Sequence, residues 1–219
     1  MKKFLSALAA TLLITSTTSF AAQSDITLPT VGAKSNEVSV TEALQQRKSN
    51  RNFIDKDLTA AQLSKILWAA DGINRADSQK RVNPAAMGVY SVEVYAVTRE
   101  GIYLYDAANH KLKLIEAGDY RSTTTTGQSF VSKAAVNLVY VETPDAWKSA
   151  RHTPPPRERQ IAFANVAVGA MVQSVALIAE TEGLGNCVRG SINRDEFKKI
   201  AGLSADKTIL LAQSVGFIN

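Results

Sequence analysis

Three cations and one hydroxyl stand within five residues in Arg47-Lys48-Ser49-Asn50-Arg51, and Asn52-Phe53 completes the heptad. Such a set suits a phosphate group. Arginine donates through a planar fork, lysine adds a point charge, and serine supplies a short adjustable donor. Arg47, Ser49 and Arg51 alternate, so an extended chain would carry them on one side. Taken alone, the heptad also reads as a solvated basic helix end favoured by the helix dipole. Metal chemistry has less to work with, because His110 and His152 lack nearby carboxylates or cysteines at ligand spacing. Cys187 is the only cysteine, which excludes an intrachain disulfide, and its expected role is that of a small buried core residue.

The elements that must position these residues are legible in outline. Ser39-Val40-Thr41-Glu42 has the form of a capping box, and the heptad sits where the short helix behind it runs out. Thr59-Ala60-Ala61-Gln62 is a second such box, followed at helical spacing by Leu63, Ile66, Leu67 and Ala70 and closed by Gly72. Arg75, Lys80 and Arg81 then precede Asn83-Pro84 in a loop. Residues 91–98 alternate in sidedness and lead through Arg99-Glu100-Gly101 into 102–105, a predicted antiparallel hairpin, with a short strand at 111–115. The apolar run 136–141 predicts a central buried strand. After Pro144, the segment 145–156, with Trp147, His152 and three consecutive prolines, predicts a stiff excursion able to border a site.

Residues 157–182 form the longest helical pattern. Its small residues, among them Ala162, Gly169 and Ala170, suit close helix contact at a buried or dimeric interface, and serve equally in an ordinary core helix. Gly183-Leu184-Gly185 closes this helix. A dinucleotide-binding glycine fingerprint opens a helix after a strand, so that reading is excluded. Asn193 or Asp195 caps a short helix ending at Gly202, and 208–215 is the last predicted strand. Helices and hairpin-forming strands mix irregularly, which predicts the α+β class.

Read in order, several stretches resemble the FMN-dependent nitroreductase family, and most closely the branch that includes the SagB-type oxidoreductases. The heptad is the first. It is followed by Asp71-Gly72-Ile73-Asn74-Arg75, Arg81-Val82-Asn83-Pro84-Ala85-Ala86-Met87, Gly127-Gln128-Ser129-Phe130, Val188-Arg189-Gly190-Ser191-Ile192-Asn193 and Gln213-Ser214-Val215-Gly216-Phe217. The resemblance spans roughly residues 38–217 and lies in the ordered set, since each piece is weak alone. It implies a nitroreductase-like fold with a central, mainly antiparallel sheet flanked by helices, FMN as cofactor, and a homodimer. It also implies roles: Arg47 and Ser49, with Lys48 beside them, for the phosphate; Arg51 near the flavin ring; Pro84, Ala85 and Met87 in a loop against the neighbouring subunit's flavin. Arg189, Gly190 and Ser191 match the stretch that contacts flavin N5, and Gln128 is a polar contact to the ring. No side chain is singled out as catalytic, because the cofactor carries the reaction. Two departures stand out. Basic residues beyond the final strand are missing, so Arg75 or Arg81 is expected to complete the phosphate site, and the loop reads Pro84-Ala85 where the family often has Pro-Ser.

The whole chain sets the remaining bounds. With 219 residues, 45% hydrophobic and 21% charged, it fits one globular domain. Lys2 and Lys3, an apolar run over 4–14 and Ser19-Phe20-Ala21 read as a Sec-type signal peptide of residues 1–21. About eleven apolar residues are too few for a membrane anchor. The expected mature chain starts at Ala22 in the periplasm or outside the cell, with an extended arm over 22–37 and the nitroreductase-like FMN-binding domain over 38–219. Removing Lys2 and Lys3 lowers the formal charge from +5 to +3, so nucleic acid is not needed as a partner. The leading expectation is an exported FMN-dependent oxidoreductase for a small organic substrate, with its electron donor or acceptor unidentified. The alternative is a flavin-binding or peptide-binding module of the same fold without turnover.

Overall fold

A computed structural model describes residues 24–32, 38–151 and 153–219; the expected signal segment, residues 33–37 and His152 lie outside them. The chain runs β1 (Ile26–Thr27), α1 (Val40–Gln46), α2 (Ala60–Asp71), β2 (Ile73–Arg75), β3 (Lys80–Arg81), β4 (Val92–Val97), β5 (Gly101–Asp106) and β6 (Lys111–Ala117). It continues through β7 (Val136–Glu142), α3 (Arg157–Thr181), β8 (Gly185–Arg189), α4 (Arg194–Ile200) and β9 (Thr208–Gly216). Seven strands make one sheet in the order β1-β6-β5-β4-β7-β9-β8, every neighbouring pair antiparallel, while β2 and β3 form a separate hairpin. This is the α+β architecture the sequence predicts.

Both faces of the sheet are covered, and the central strands show why their sequences are so uniformly apolar. Val94, Ala96, Leu138 and Tyr140 pack with Ile66 and Leu67 of α2 and Val168 and Met171 of α3. The intervening Tyr95, Val97, Val139 and Val141 pack on the other face with Phe197 of α4. Every residue of β7 is buried, as expected of a strand sandwiched between two layers.

The helix ends follow the capping chemistry with two differences. Thr59 and Gln62 form the full reciprocal box. At α1 only half forms, because Ser39 accepts from the Glu42 N–H while the Glu42 carboxylate turns to Gln46. Gly72 ends α2 at a negative φ, so left-handed freedom is not its reason; a Cβ there would meet the Trp68 ring at 2.3 Å.

The strand β8 is absent from the sequence reading. Its Gly-Asn-Cys-Val-Arg sequence lacks clean alternation, and its place comes from pairing with β9 at the sheet edge. The start of the arm is tied down: β1 pairs with β6, Leu28 is buried, and the Pro29 carbonyl accepts from Ser64. In the excursion, Trp147 is buried and stacks on Phe163 of α3. α3 is long and apolar enough to cross a bilayer by composition. Here, however, one face of it lies in the core, and Arg157 in its first turn pairs with the fully buried Glu142.

Candidate functional site

The heptad leaves α1 at Arg47, the helix C-cap, whose ψ of 123 degrees turns the chain out of the helix. It then runs beside β8. Ser49 bridges Asn186 in parallel, the Asn50 N–H donates to the Asn186 carbonyl at 2.7 Å, and Phe53 bridges Ile218 at the chain's end. Phe53 is the anchor, buried with Ala134 and Cys187 beside Phe130 and Ile218. Gly185 permits the approach, since a Cβ there would lie 2.3 Å from Ile218 and 2.9 Å from Asn50.

What the segment presents is unspent charge. Lys48, Ser49 and Arg51 are exposed and Arg47 is half-buried. No hydrogen bond or ion pair among the described residues engages any of the four side chains. Exposure does not alternate along the segment, for Lys48 and Asn52 are as open as Ser49 and Arg51. Two isolated bridges fix the backbone without making a strand, so alternation does not sort the cations onto one side.

A second group of expected residues meets at the far end of β8. Gly190 and Ser191 follow directly on it, and the Ser191 hydroxyl bonds the Thr126 hydroxyl, joining this turn to the loop that carries Gln128. Gln128 has a buried Oε1 without a partner and lines a cavity of about 270 Å³ with Ser122, Thr125 and Ser132. Arg189 is different from the heptad cations. It is buried, and its guanidinium is spent on Ser214, Asn137, Thr124 and the Ser191 carbonyl, so its side chain braces the turn from below. Burial holds its pKa down to about 10. Cys187 is buried, as its small apolar character predicts.

Pro84, Ala85 and Met87 belong to a third place. Asn83 fixes their loop by donating to the Ala69 and Ala70 carbonyls of α2 and accepting from Ser174 of α3. Met87 takes a positive φ of 56 degrees and is 49% exposed. No hydrogen bond or ion pair among the described residues joins this loop to the heptad or to Gly190 and Ser191. Met87 instead lines a cavity of about 530 Å³ with Lys80, Tyr90 and Arg151.

The two cations expected to complete the phosphate site are otherwise occupied. Arg81 pairs with Asp71 and lies over the Tyr90 ring, and Arg75 donates to Asn74 and to the Arg81 carbonyl. Sequence reasoning placed Asp71 in a family-like stretch without giving it a role. It is buried, one carboxylate oxygen has no partner, and desolvation outweighs the attraction of Arg81 to push its pKa up to about 6. The signal available was an acid at the end of an apolar helix face, ahead of a basic hairpin.

Within one chain, then, an open cationic segment and a polar turn flank β8, and an exposed loop stands apart. No metal-binding cluster of three or more His, Cys, Asp or Glu occurs among the described residues. Known proteins are similar to this chain in sequence and fold. A protein of Methanocaldococcus jannaschii named as a nitroreductase is 28% identical over 196 residues, covering 85% of this chain and 94% of its own. A nitroreductase structure from Ralstonia eutropha is 34% identical with a TM-score of 0.81 and covers 90% of each chain. A nitroreductase from Desulfovibrio desulfuricans in complex with FMN has the same fold at 18% identity, with a TM-score of 0.58 over 84% of this chain and 88% of that one. The Nitroreductase family model matches residues 44–217, and the chain therefore belongs to the nitroreductase family.

Proposed function

We propose that this protein is an exported FMN-dependent oxidoreductase that moves two electrons between the bound flavin and a small organic substrate. The observation that carries the reading is the heptad: Arg47, Lys48, Ser49 and Arg51 stand without partners on a backbone pinned to β8. A solvated helix end needs no such pinning, whereas a phosphate site needs donors whose geometry is set in advance.

The donors present fit FMN. Arg47 and Ser49, with Lys48, would hold its phosphate. Arg51 would lie toward the pyrimidine edge, and the orphaned Gln128 Oε1 would accept from the ring imide N–H. The backbone at the exposed Gly190 and the half-buried Ser191 would face N5. Bound FMN supplies the two-electron chemistry. The chain's own part is to orient the ring, neutralise the phosphate and offer positive charge where negative charge develops.

A homodimer completes the reading. The exposed stripe of α3, with Ala162, Val166, Gly169 and Gln173, is continuous in character with the exposed Val40 and Leu44 of α1, which packs beside it. Covering that stripe with a second copy would bring the Pro84, Ala85 and Met87 loop to the partner's flavin. It would explain why the loop has no link to the heptad of its own chain.

Purification from periplasmic extract tests both cofactor and compartment. The expected result is a yellow protein whose released ligand has the mass of FMN and whose first residue is Ala22. A colourless protein that takes up no FMN on titration would end the flavin reading. Met1 retained on cytosolic protein would end the export reading. A flavin-binding module without turnover would bind FMN yet leave it oxidised with every candidate electron donor.

A further inference from the structure

Resting on the FMN reading, we infer that Arg189 is a positioning and charge-tuning residue: an uncompensated buried cation that favours the reduced, anionic cofactor without touching it. The observation is a contrast within one molecule. Arg121, equally buried, is matched by Asp119 and Asp55, and Arg157 by Glu142. Arg189 has no carboxylate partner among the described residues. Its Nε–H donates to the Ser214 hydroxyl at 3.0 Å. The Nη1 group donates to the Thr124 carbonyl at 2.8 Å and the Ser191 carbonyl at 3.4 Å, and Nη2 to the Asn137 side-chain oxygen at 3.1 Å and the Thr124 hydroxyl at 3.2 Å.

Five donors on five neutral oxygens satisfy the hydrogen bonding and leave the charge. A guanidinium removed from water without a counterion is costly, and its field is weakly screened. Arg189 is followed at once by Gly190 and Ser191, and it holds the Ser191 carbonyl directly. That positive charge therefore lies under the turn expected to face the flavin. Two electrons and one proton convert the neutral oxidised ring to a reduced ring carrying one negative charge. Arg189 stabilises the second form more than the first, because only the second has net charge for it to meet.

The test is a reductive titration with dithionite and a reference dye, at pH 6, of FMN-loaded wild type, Arg189→Met and Arg189→Lys. Arg189→Met is expected to lower the affinity for reduced relative to oxidised FMN at least tenfold, read as a midpoint potential at least about 30 mV more negative. Arg189→Lys, which keeps an ionisable amine at the same place, is expected to restore most of the difference. Two results overturn the inference: an unchanged potential in Arg189→Met, or an equal fall in both variants, which would make the role one of shape alone. Should Arg189→Met fail to fold, the Arg189→Lys potential decides, since a retained cation predicts a value near wild type and a displaced one refutes it. A wild-type protein that binds no FMN would instead remove the reading beneath, and the inference with it.

Discussion

Arg47 and Arg51 stand in the same open segment, yet their expected failures differ because their proposed targets differ. An arginine on the phosphate contributes equally to oxidised and reduced cofactor, so Arg47→Ala is expected to weaken FMN binding by one or more orders of magnitude with little change in potential. Arg51, in its proposed place beside the ring, would meet charge only after reduction. Arg51→Ala is therefore expected to make the midpoint potential more negative while oxidised FMN stays largely bound. Fluorescence titration and potentiometry on the two variants separate these outcomes, and wild-type values in both would return the heptad to a solvated helix end. Asp71 answers to pH instead. Burial raises its folded pKa to about 6, above the ordinary aspartate value, so the fold favours the neutral carboxyl. Its contribution is present below the unfolded pKa and is lost as pH rises from about 4 through about 6, by roughly 3 kcal/mol on linkage. Asp71→Asn should abolish that slope in thermal unfolding, so the stability of wild type relative to the variant falls across this window and is flat above it.

At the level of elements, the site depends on how closely one segment lies on β8. Gly185 begins that strand where the side chains of Asn50 and Ile218 cross it. Gly185→Ala has no backbone conformation to fear, but its methyl must push both of them away. We expect a loss of about 1–3 kcal/mol in denaturant unfolding, with weaker FMN binding because the Asn50–Asn186 contact is what sets the heptad. Retention of both wild-type stability and affinity would show that the segment is free to move without consequence. The second device is the turn after β8. Its link from Ser191 to Thr126, together with the reach of Arg189 to Thr124, makes one unit of two loops more than sixty residues apart.

For the whole molecule, the exposed stripe on α3 makes oligomeric state a test of the site. Val166 is 73% exposed at its centre. Val166→Glu is expected to convert the proposed dimer into a monomer in sedimentation and to weaken FMN at least tenfold, because the 84–87 loop proposed to reach the flavin from the partner would leave with it. A wild-type monomer holding FMN tightly would remove the dimer proposal. The sequence by itself determined the elements whose signals are local. Capping at Thr59, the long pattern that became α3, the uniform apolarity of β7 and the ordered set of motifs are written in neighbouring residues, and so the α+β class was legible. It also marked the heptad as basic and Cys187 as a core residue. Only the tertiary structure decided what depends on distant partners. β8 exists because β9 lies beside it, and Gly185 is a glycine because the side chains of Asn50 and Ile218 crowd it. Arg189 and Arg51 look alike as letters, but one is buried among neutral oxygens and the other stands open to solvent. Arg81 goes to Asp71 instead of the basic heptad. A residue's type sets what it can bond, whereas burial and the company it keeps, which arise only when the chain closes on itself, set what it has left to offer a ligand.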